Sequence, residues 1–219
     1  MKKFSSYIPI KVRSYILNKI PFANGLNKFF NKINSFLKWR ELSKKNFIKL
    51  DLGSGPKNGT NGFTTVDIDG ADICWNLGKG IPLKDESVDL IYSSHMLEHI
   101  AFRELIIFLK ECKRVLKEEG VFSVCVPNAR LFIDAYLKGE ILEFHNKCEY
   151  SKVETGSNLD QLNYIAYLNG QHKYLFDKEN LVNTFLTAGF TTVSLREFDP
   201  SLDEEARAAQ SIFAVARKN

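Results

Sequence analysis

The chain has no closely spaced cysteine pair: Cys74, Cys112, Cys125 and Cys148 lie scattered along its 219 residues. A disulfide framework belongs to small secreted chains, and this spacing excludes one. Nor is there any run approaching the roughly 18–20 apolar residues of a membrane span. The opening segment MKKFSSYIPI is basic but lacks the apolar core of a secretory signal. Internal repeats and low-complexity tracts are also missing. The expectation is a reduced, cytoplasmic protein.

What is present is an ordinary globular balance, 44% hydrophobic and 26% charged, enough for one α/β domain with decoration. The net charge of +4 conceals an asymmetry. Residues 1–45 hold eleven Lys or Arg and one acid, Glu41, whereas residues 46–219 hold nineteen basic and twenty-five acidic residues. The chain therefore divides into a basic amphipathic arm (1–45) and a catalytic domain (46–219).

In the arm, Ile10, Val12, Tyr15, Ile16, Leu17 and Ile20 alternate with Lys11, Arg13 and Lys19 up to a break at Pro21. Leu26, Phe29, Phe30, Ile33, Phe36 and Leu37 then follow at helical spacing. Such helices either cover a sheet edge or the mouth of a site, or lie on an anionic membrane surface through residues 1–40. Nucleic acid is not expected as a partner, because no recognised nucleic-acid motif accompanies the charge.

The domain reads as strands at Phe47–Leu52, Phe63–Ile68, Ser87–Ser93 and Gly120–Val126. A helix with Leu105, Ile106, Leu109, Cys112, Val115 and Leu116 on one face lies before Gly120 as its stop. Strand, helix, strand in that order implies a parallel pair. Asp177 caps a later helix through Ala188, and Phe190–Leu195 and Ser211–Ala216 close an open α/β sheet with its ligand at the carboxyl strand ends. An insert over 128–176, rich in Tyr136, Phe144, His145, Tyr150, Tyr164 and Tyr167, is placed to act as a lid over an acceptor.

Leu50-Asp-Leu-Gly-Ser-Gly-Pro56 is a strand ending in an acid and a Gly-x-Gly turn, where the backbone can approach a ligand closely. Sixteen residues past Asp51, Asp67 ends the next strand, where a carboxylate can accept from both hydroxyls of a ribose. Asn76-Leu77, the segment 83–92 and Leu97-Glu98-His99 follow in order. This series resembles the class I S-adenosylmethionine-dependent methyltransferases from about Phe47 to Val126. It is most similar to small bacterial enzymes with "SSHxLEH", "HKYxFD" and "FDPxLD", present here as Ser93–His99, His172–Asp177 and Phe198–Asp203.

The resemblance implies a Rossmann-like, mostly parallel sheet, S-adenosyl-L-methionine as cofactor, and an association with surface-polysaccharide biosynthesis. It places Asp51, Gly53, Ser54 and Gly55 around the methionyl part and sulfonium, and Asp67 and Ile68 at the ribose. Asn76 and Leu77 fall at the adenine, and Ser93 and Ser94 face the sulfonium and acceptor. Two features depart from the pattern. Pro56 stands where the family has a third glycine, and only Gly53–Phe63 separates the first two strands, too short for a crossover helix. Asp69-Gly70 reads as a tight turn, so a trimmed sheet edge is expected.

Methyl transfer to a hydroxyl needs an aligned nucleophile and a proton acceptor. His95, after a strand end, is the first candidate for that role, and His172 is a second acceptor-site candidate. His95, Glu98 and His99 share a helical face and could hold a metal in principle. No second cluster in the sequence supports one, so no metal is expected. The leading expectation is O-methylation of a small polar acceptor, such as a sugar or a lipid-linked glycan precursor. RNA or protein as acceptor, or a non-catalytic cofactor-binding module, are the alternatives.

Overall fold

The computed structural model describes residues 23–142 and 155–218, with side chains from Ile33 onward. The basic segment 10–20, and Phe144, His145, Cys148 and Tyr150 of the insert, lie outside the described residues. Seven strands form one sheet: β1 (Lys49–Leu52), β2 (Phe63–Asp67), β3 (Ile73–Cys74), β4 (Val88–Ser94), β5 (Leu116–Pro127), β6 (Thr192–Arg196) and β7 (Ser211–Arg217). Their order across the sheet is β3-β2-β1-β4-β5-β7-β6. The first five are mutually parallel and β7 runs antiparallel between β5 and β6. The order reverses between β1 and β4, so the crevice for a ligand opens at the carboxyl ends of these two strands.

Among the described residues, five α-helices flank the sheet: α1 (Ala23–Leu42), α2 (Phe102–Val115), α3 (Ala129–Lys138), α4 (Leu159–Tyr167) and α5 (Lys178–Thr187). On α2, Leu105, Phe108, Leu109, Cys112 and Val115 are buried; Phe108 takes the inward place expected of Ile106. The helix ends at Val115, earlier than Gly120 suggested, and the left-handed residue beyond it is Glu119 (φ 61°), inside β5. Asp177 does cap α5, its Oδ1 accepting from the Asn180 amide at 2.7 Å, and Gly189 turns the chain beyond the helix with φ 95°.

The sheet edge is trimmed as expected, and β3 shows how parallel pairing survives without crossover helices. Asp72 organises the loop in their place: its Oδ2 accepts from the Gly59 amide at 2.8 Å and the Thr65 amide at 3.2 Å. Its own amide donates to Thr65 Oγ1 at 2.9 Å, and that hydroxyl donates onward to the Lys57 carbonyl at 2.8 Å. Burial raises the pKa of Asp72, but the Thr65 and Gly59 amides, the Thr65 hydroxyl and Lys38 outweigh it and hold the carboxyl low. Pro56 packs where a side chain on Gly70 would stand, 2.5 Å from the position of a Cβ. With β3 only two residues long, a turn of five residues suffices to bring it beside β2.

The end of α1 seals this edge. Ser35, Trp39 and Leu42 are buried, Ser35 Oγ donates to the Cys74 carbonyl at 2.9 Å, and Trp39 meets Trp75 edge-on at 6.4 Å. Lys38 Nζ donates to the Asp72 carbonyl. This inward face differs from the apolar stripe seen in the sequence: Ile33, Phe36 and Leu37 of that stripe are exposed. Among the described residues, no helix is long and apolar enough to cross a membrane.

Candidate active site

The cleft begins where β1 runs out. Gly53 and Gly55 turn the chain with φ of 71° and 70°, a conformation that costs other residues free energy. A Cβ on Gly53 would stand 2.1 Å from Met96 Cγ, so packing alone demands glycine there. Around Gly55 nothing lies within 4 Å of the same position, and its backbone faces open space. The Gly55 amide donates to Asp67 Oδ2 at 2.8 Å and the Ile68 amide to Oδ1 at 2.5 Å. Asp67, half-buried, thereby pins the glycine loop and keeps lone pairs free, since an ionised carboxylate offers about four acceptor positions. Ser54 Oγ donates to the Gly55 carbonyl at 3.0 Å.

Asp51 is buried at the floor of this loop. Its Oδ2 lies 3.1 Å from Lys57 Nζ, while its Oδ1 is buried with no hydrogen-bond partner. Burial pushes its pKa up, against the opposing pull of the Lys57 ammonium. An orphaned carboxylate oxygen is costly and marks a place where a donor is wanted.

The two serines at the end of β4 are both engaged by the fold. Ser93 is fully buried and its hydroxyl donates to the Leu52 carbonyl at 2.9 Å, tying β4 to β1 rather than facing the cleft. Ser94 Oγ accepts from Arg207 Nη1 at 3.0 Å, and the Ser94 carbonyl accepts from the same nitrogen at 3.2 Å. Arg207 sits on a 3-10 turn, Glu205–Gln210, between "FDPxLD" and β7. It is held by Glu204 (Nε–Oε2 3.1 Å), and Glu204 also reaches Lys57 at 3.7 Å. Lys57, Glu204 and Arg207 thus form a charged rim over Asp51 that sequence reasoning missed, because no periodicity or motif links 57 to 204–207.

Asn76 and Leu77 are likewise occupied locally. Asn76 Oδ1 accepts from the Gly78 amide at 2.9 Å and caps the 3-10 turn Leu77–Lys79; the Leu77 side chain packs against the core.

Beyond β4 the chain enters the left-handed region at His95 (φ 51°) and then makes a 3-10 turn, Leu97–His99. His95, Glu98 and His99 therefore do not lie on one α-helical face, yet the turn still groups them. His95 Nδ1 and His99 Nε2 each stand 4.0 Å from Glu98 Oε1. His95 Nε2 is 2.8 Å from Ser211 Oγ. Burial, aided by Arg207, pushes the His95 pKa down to about 3, so its imidazole is neutral at ordinary pH. Burial pushes Glu98 up to about 8, against its own backbone amide and Arg207. His172 also arrives here, its ring 5.0 Å from that of His99 and nearly perpendicular to it. The structure thus brings both histidines of the sequence reading close to Glu98.

Residues 57–124 match the methyltransferase domain family; the match spans β2 to β5 and starts just past the glycine loop. With this sheet order and the cleft at its switch point, the match supports an S-adenosylmethionine-dependent methyltransferase of class I fold, with S-adenosyl-L-methionine as its cofactor. Among relatives, the chain is 29% identical over 157 residues to the uncharacterized protein MJ0638 of Methanocaldococcus jannaschii, covering 65% of this chain and 67% of that one. Among solved structures it is similar to a Nostoc punctiforme PCC 73102 protein provisionally described as an O-methyltransferase (14% identity, TM-score 0.50). That alignment covers 90% of this chain, which spans 59% of the Nostoc protein. A Thermotoga maritima protein described as an S-adenosylmethionine-dependent methyltransferase aligns at 17% identity and TM-score 0.49, covering 90% and 97% of the two chains.

Proposed function

We propose that the chain transfers a methyl group to an oxygen of a small polar acceptor, such as a sugar or a glycan precursor, at the carboxyl ends of β1 and β4. The observation that carries this reading is the polar character of the cleft wall: Lys57, Ser94, His95, Glu204, Arg207 and Ser211 surround the Asp51 end. A hydroxyl-rich acceptor finds donors and acceptors there, whereas an apolar one would leave them unpaired.

The residues present fit the cofactor. Asp51 Oδ1 lacks a donor of the kind an α-ammonium group supplies, and Gly55 presents bare backbone. Asp67 retains lone pairs for the two ribose hydroxyls. When bound, the cofactor supplies an electrophilic methyl on a sulfonium. Ile68 lies beside the ribose, and Asn76 and Leu77 shape the adenine end through the turn they form. The role of Ser93 is to hold β4 against β1; that of Ser94 is to fix Arg207. His95 touches the acceptor and orients it, with its Nε2 paired to Ser211, while His172 stands beside Glu98 and His99. The described parts of the insert, 128–142 and 155–176, would cover the acceptor as a lid, within the domain 46–219.

His95→Ala is expected to lower kcat at least tenfold while leaving the cofactor Kd within about twofold, read by turnover and by calorimetry with the demethylated cofactor. A weakened Kd with unchanged kcat would remove His95 from the acceptor side. The acceptor class is tested with isotope-labelled cofactor against a panel of sugar nucleotides, total RNA and protein. Label in the sugar pool supports the reading, and label confined to RNA or protein refutes it.

We also propose that the arm, residues 1–45, holds the enzyme at the inner membrane face. Ile33, Phe36 and Leu37 form an exposed apolar strip on α1, opposite the buried Ser35, Trp39 and Leu42, and the arm is strongly basic. The double substitution Ile33→Glu/Phe36→Glu is expected to abolish sedimentation with phosphatidylglycerol vesicles without loss of the fold. Equal sedimentation would assign the strip another role.

A further inference from the structure

Glu98 is the least comfortable residue of the described chain. Its side chain is 3% exposed, and neither carboxylate oxygen has a hydrogen-bond partner. The backbone around it is fixed: the Glu98 carbonyl accepts from the Lys173 amide at 2.7 Å and the Tyr174 amide at 3.2 Å, which locks the turn after β4 to the segment carrying His172. Two imidazoles flank the carboxylate, and backbone carbonyls orient both. His99 Nδ1 lies 3.2 Å from the Gln171 carbonyl, and His172 Nδ1 lies 2.6 Å from the Ile165 carbonyl.

A carbonyl oxygen only accepts, so in both rings the Nδ1 carries the proton. That leaves Nε2 of each neutral ring as a bare lone pair. Burial disfavours the charged form of both rings, although Asp67 beside His99 and the Ile165 carbonyl at His172 oppose this. Glu98, His99 and His172 bring one ligand atom each within 4.8 Å of one another. Three acceptors converge and neither Glu98 oxygen has a donor within hydrogen-bond reach; His95 Nδ1, at 4.0 Å from Oε1, is too far to serve. One proton on Glu98 would satisfy a single pair and leave the third acceptor facing nothing.

We propose that Glu98, His99 and His172 form a binding site for a divalent transition-metal ion of the zinc class. Two imidazole nitrogens and one carboxylate oxygen are a recurrent ligand set for such ions. The carbonyls of Gln171 and Ile165 play the part of the outer partners that fix ligand tautomer and direction. Around a tetrahedral ion with bonds of about 2.1 Å, ligand atoms stand about 3.4 Å apart. The 4.0 Å between His99 Nε2 and Glu98 Oε1 closes to that with a small side-chain rotation. His95 Nδ1 also stands 4.0 Å from Glu98 Oε1, but its Nε2 is paired to Ser211 and its ring is not among the three mutually close ligands.

Three protein ligands leave a fourth position open, as in sites where the metal binds a reactant rather than bracing the fold. His99 is the most exposed of the three, at 36%, and it faces the Asp67 side of the cleft. An acceptor hydroxyl on that open position would be acidified by the ion. This last consequence rests on the methyl-transfer reading above; the metal site itself does not.

The test uses the full chain without an affinity tag, stripped by chelator and titrated with Co2+. The expected result is saturable uptake of one equivalent, visible absorption of four- or five-coordinate cobalt, and displacement by Zn2+. Glu98→Gln and His99→Ala/His172→Ala should lose the absorption, while His95→Ala keeps it. Calorimetry with the demethylated cofactor, run on the same samples, reports separately on the methyltransferase reading. Uptake that the Glu98 and histidine variants leave unchanged would overturn the proposal, as would the absence of saturable uptake by the unaltered chain. Should those variants fail to fold, X-ray absorption of the zinc-loaded chain decides: imidazole and oxygen ligation supports the site, and sulfur ligation overturns it.

Discussion

Asp203→Ala is expected to destabilise the protein by about 3–5 kcal/mol, the range for removing one partner of a buried ion pair. For a domain of this size that corresponds to a fall in Tm of roughly 6–20 °C. The Asp203 side chain is 0% exposed and gathers four contacts. Arg196 binds it bidentately, Nη1 to Oδ2 at 2.5 Å and Nη2 to Oδ1 at 2.8 Å. The Asp199 amide donates to Oδ2 at 2.8 Å, and the Tyr92 hydroxyl lies 3.1 Å from Oδ1. Removing the carboxylate strands a guanidinium that is 17% exposed and leaves a buried phenol without its acceptor. Replacing both charges, as in Arg196→Met/Asp203→Leu, should cost less than Asp203→Ala alone, because no charge is then left unpaired. Thermal denaturation of the two variants beside the unaltered protein measures this, and a loss under 1 kcal/mol for Asp203→Ala would contradict it. The "FDPxLD" signature, Phe198–Asp203, is on this account a structural clasp. Asp199 accepts from the amide and hydroxyl of Ser201 at 2.9 and 2.7 Å, and Asp203 returns to β6, which sets the position of Glu204 and Arg207 over the cleft.

Asp67→Ala should weaken binding of the cofactor and its demethylated product by about 1–3 kcal/mol, or roughly 5- to 150-fold. Two losses combine. The ribose hydroxyls lose their acceptor, and the Gly55 and Ile68 amides lose the carboxylate that holds the glycine loop in shape. Isothermal titration calorimetry reads the affinity, and a parallel melting curve reports how much of the effect is loop order. Asp67→Asn, which keeps one acceptor oxygen, should fall between the two. An unchanged Kd in Asp67→Ala would place the ribose elsewhere.

Much of this architecture was legible locally. Alternation and apolar runs marked β1, β2, β4, β5 and β7 to within a few residues, and Asp177 with Glu179 and Gly189 marked both ends of α5. The shortness of Gly53–Phe63 correctly announced an edge without a crossover helix. The site was legible only in part. Gly55 and Asp67 meet as their spacing suggested, but Ser93, expected to face the sulfonium, spends its hydroxyl on Leu52. Strand alternation tells which side of the sheet a residue takes, not which backbone carbonyl waits there. β3 escaped notice because two residues carry no period, and its pairing depends on Asp72 and α1 rather than on its own composition.

The amino-acid sequence by itself determined the layer architecture, the glycine turn and the acid at the end of the second strand, because these follow from periodicity, backbone sterics and short spacings. Only the tertiary structure decided which face of α1 is buried, that Lys57, Glu204 and Arg207 close over Asp51, and that His172 joins Glu98 and His99. Those contacts join residues far apart in the chain. They form because a buried carboxylate must find partners wherever the fold delivers them, and no local pattern records that demand.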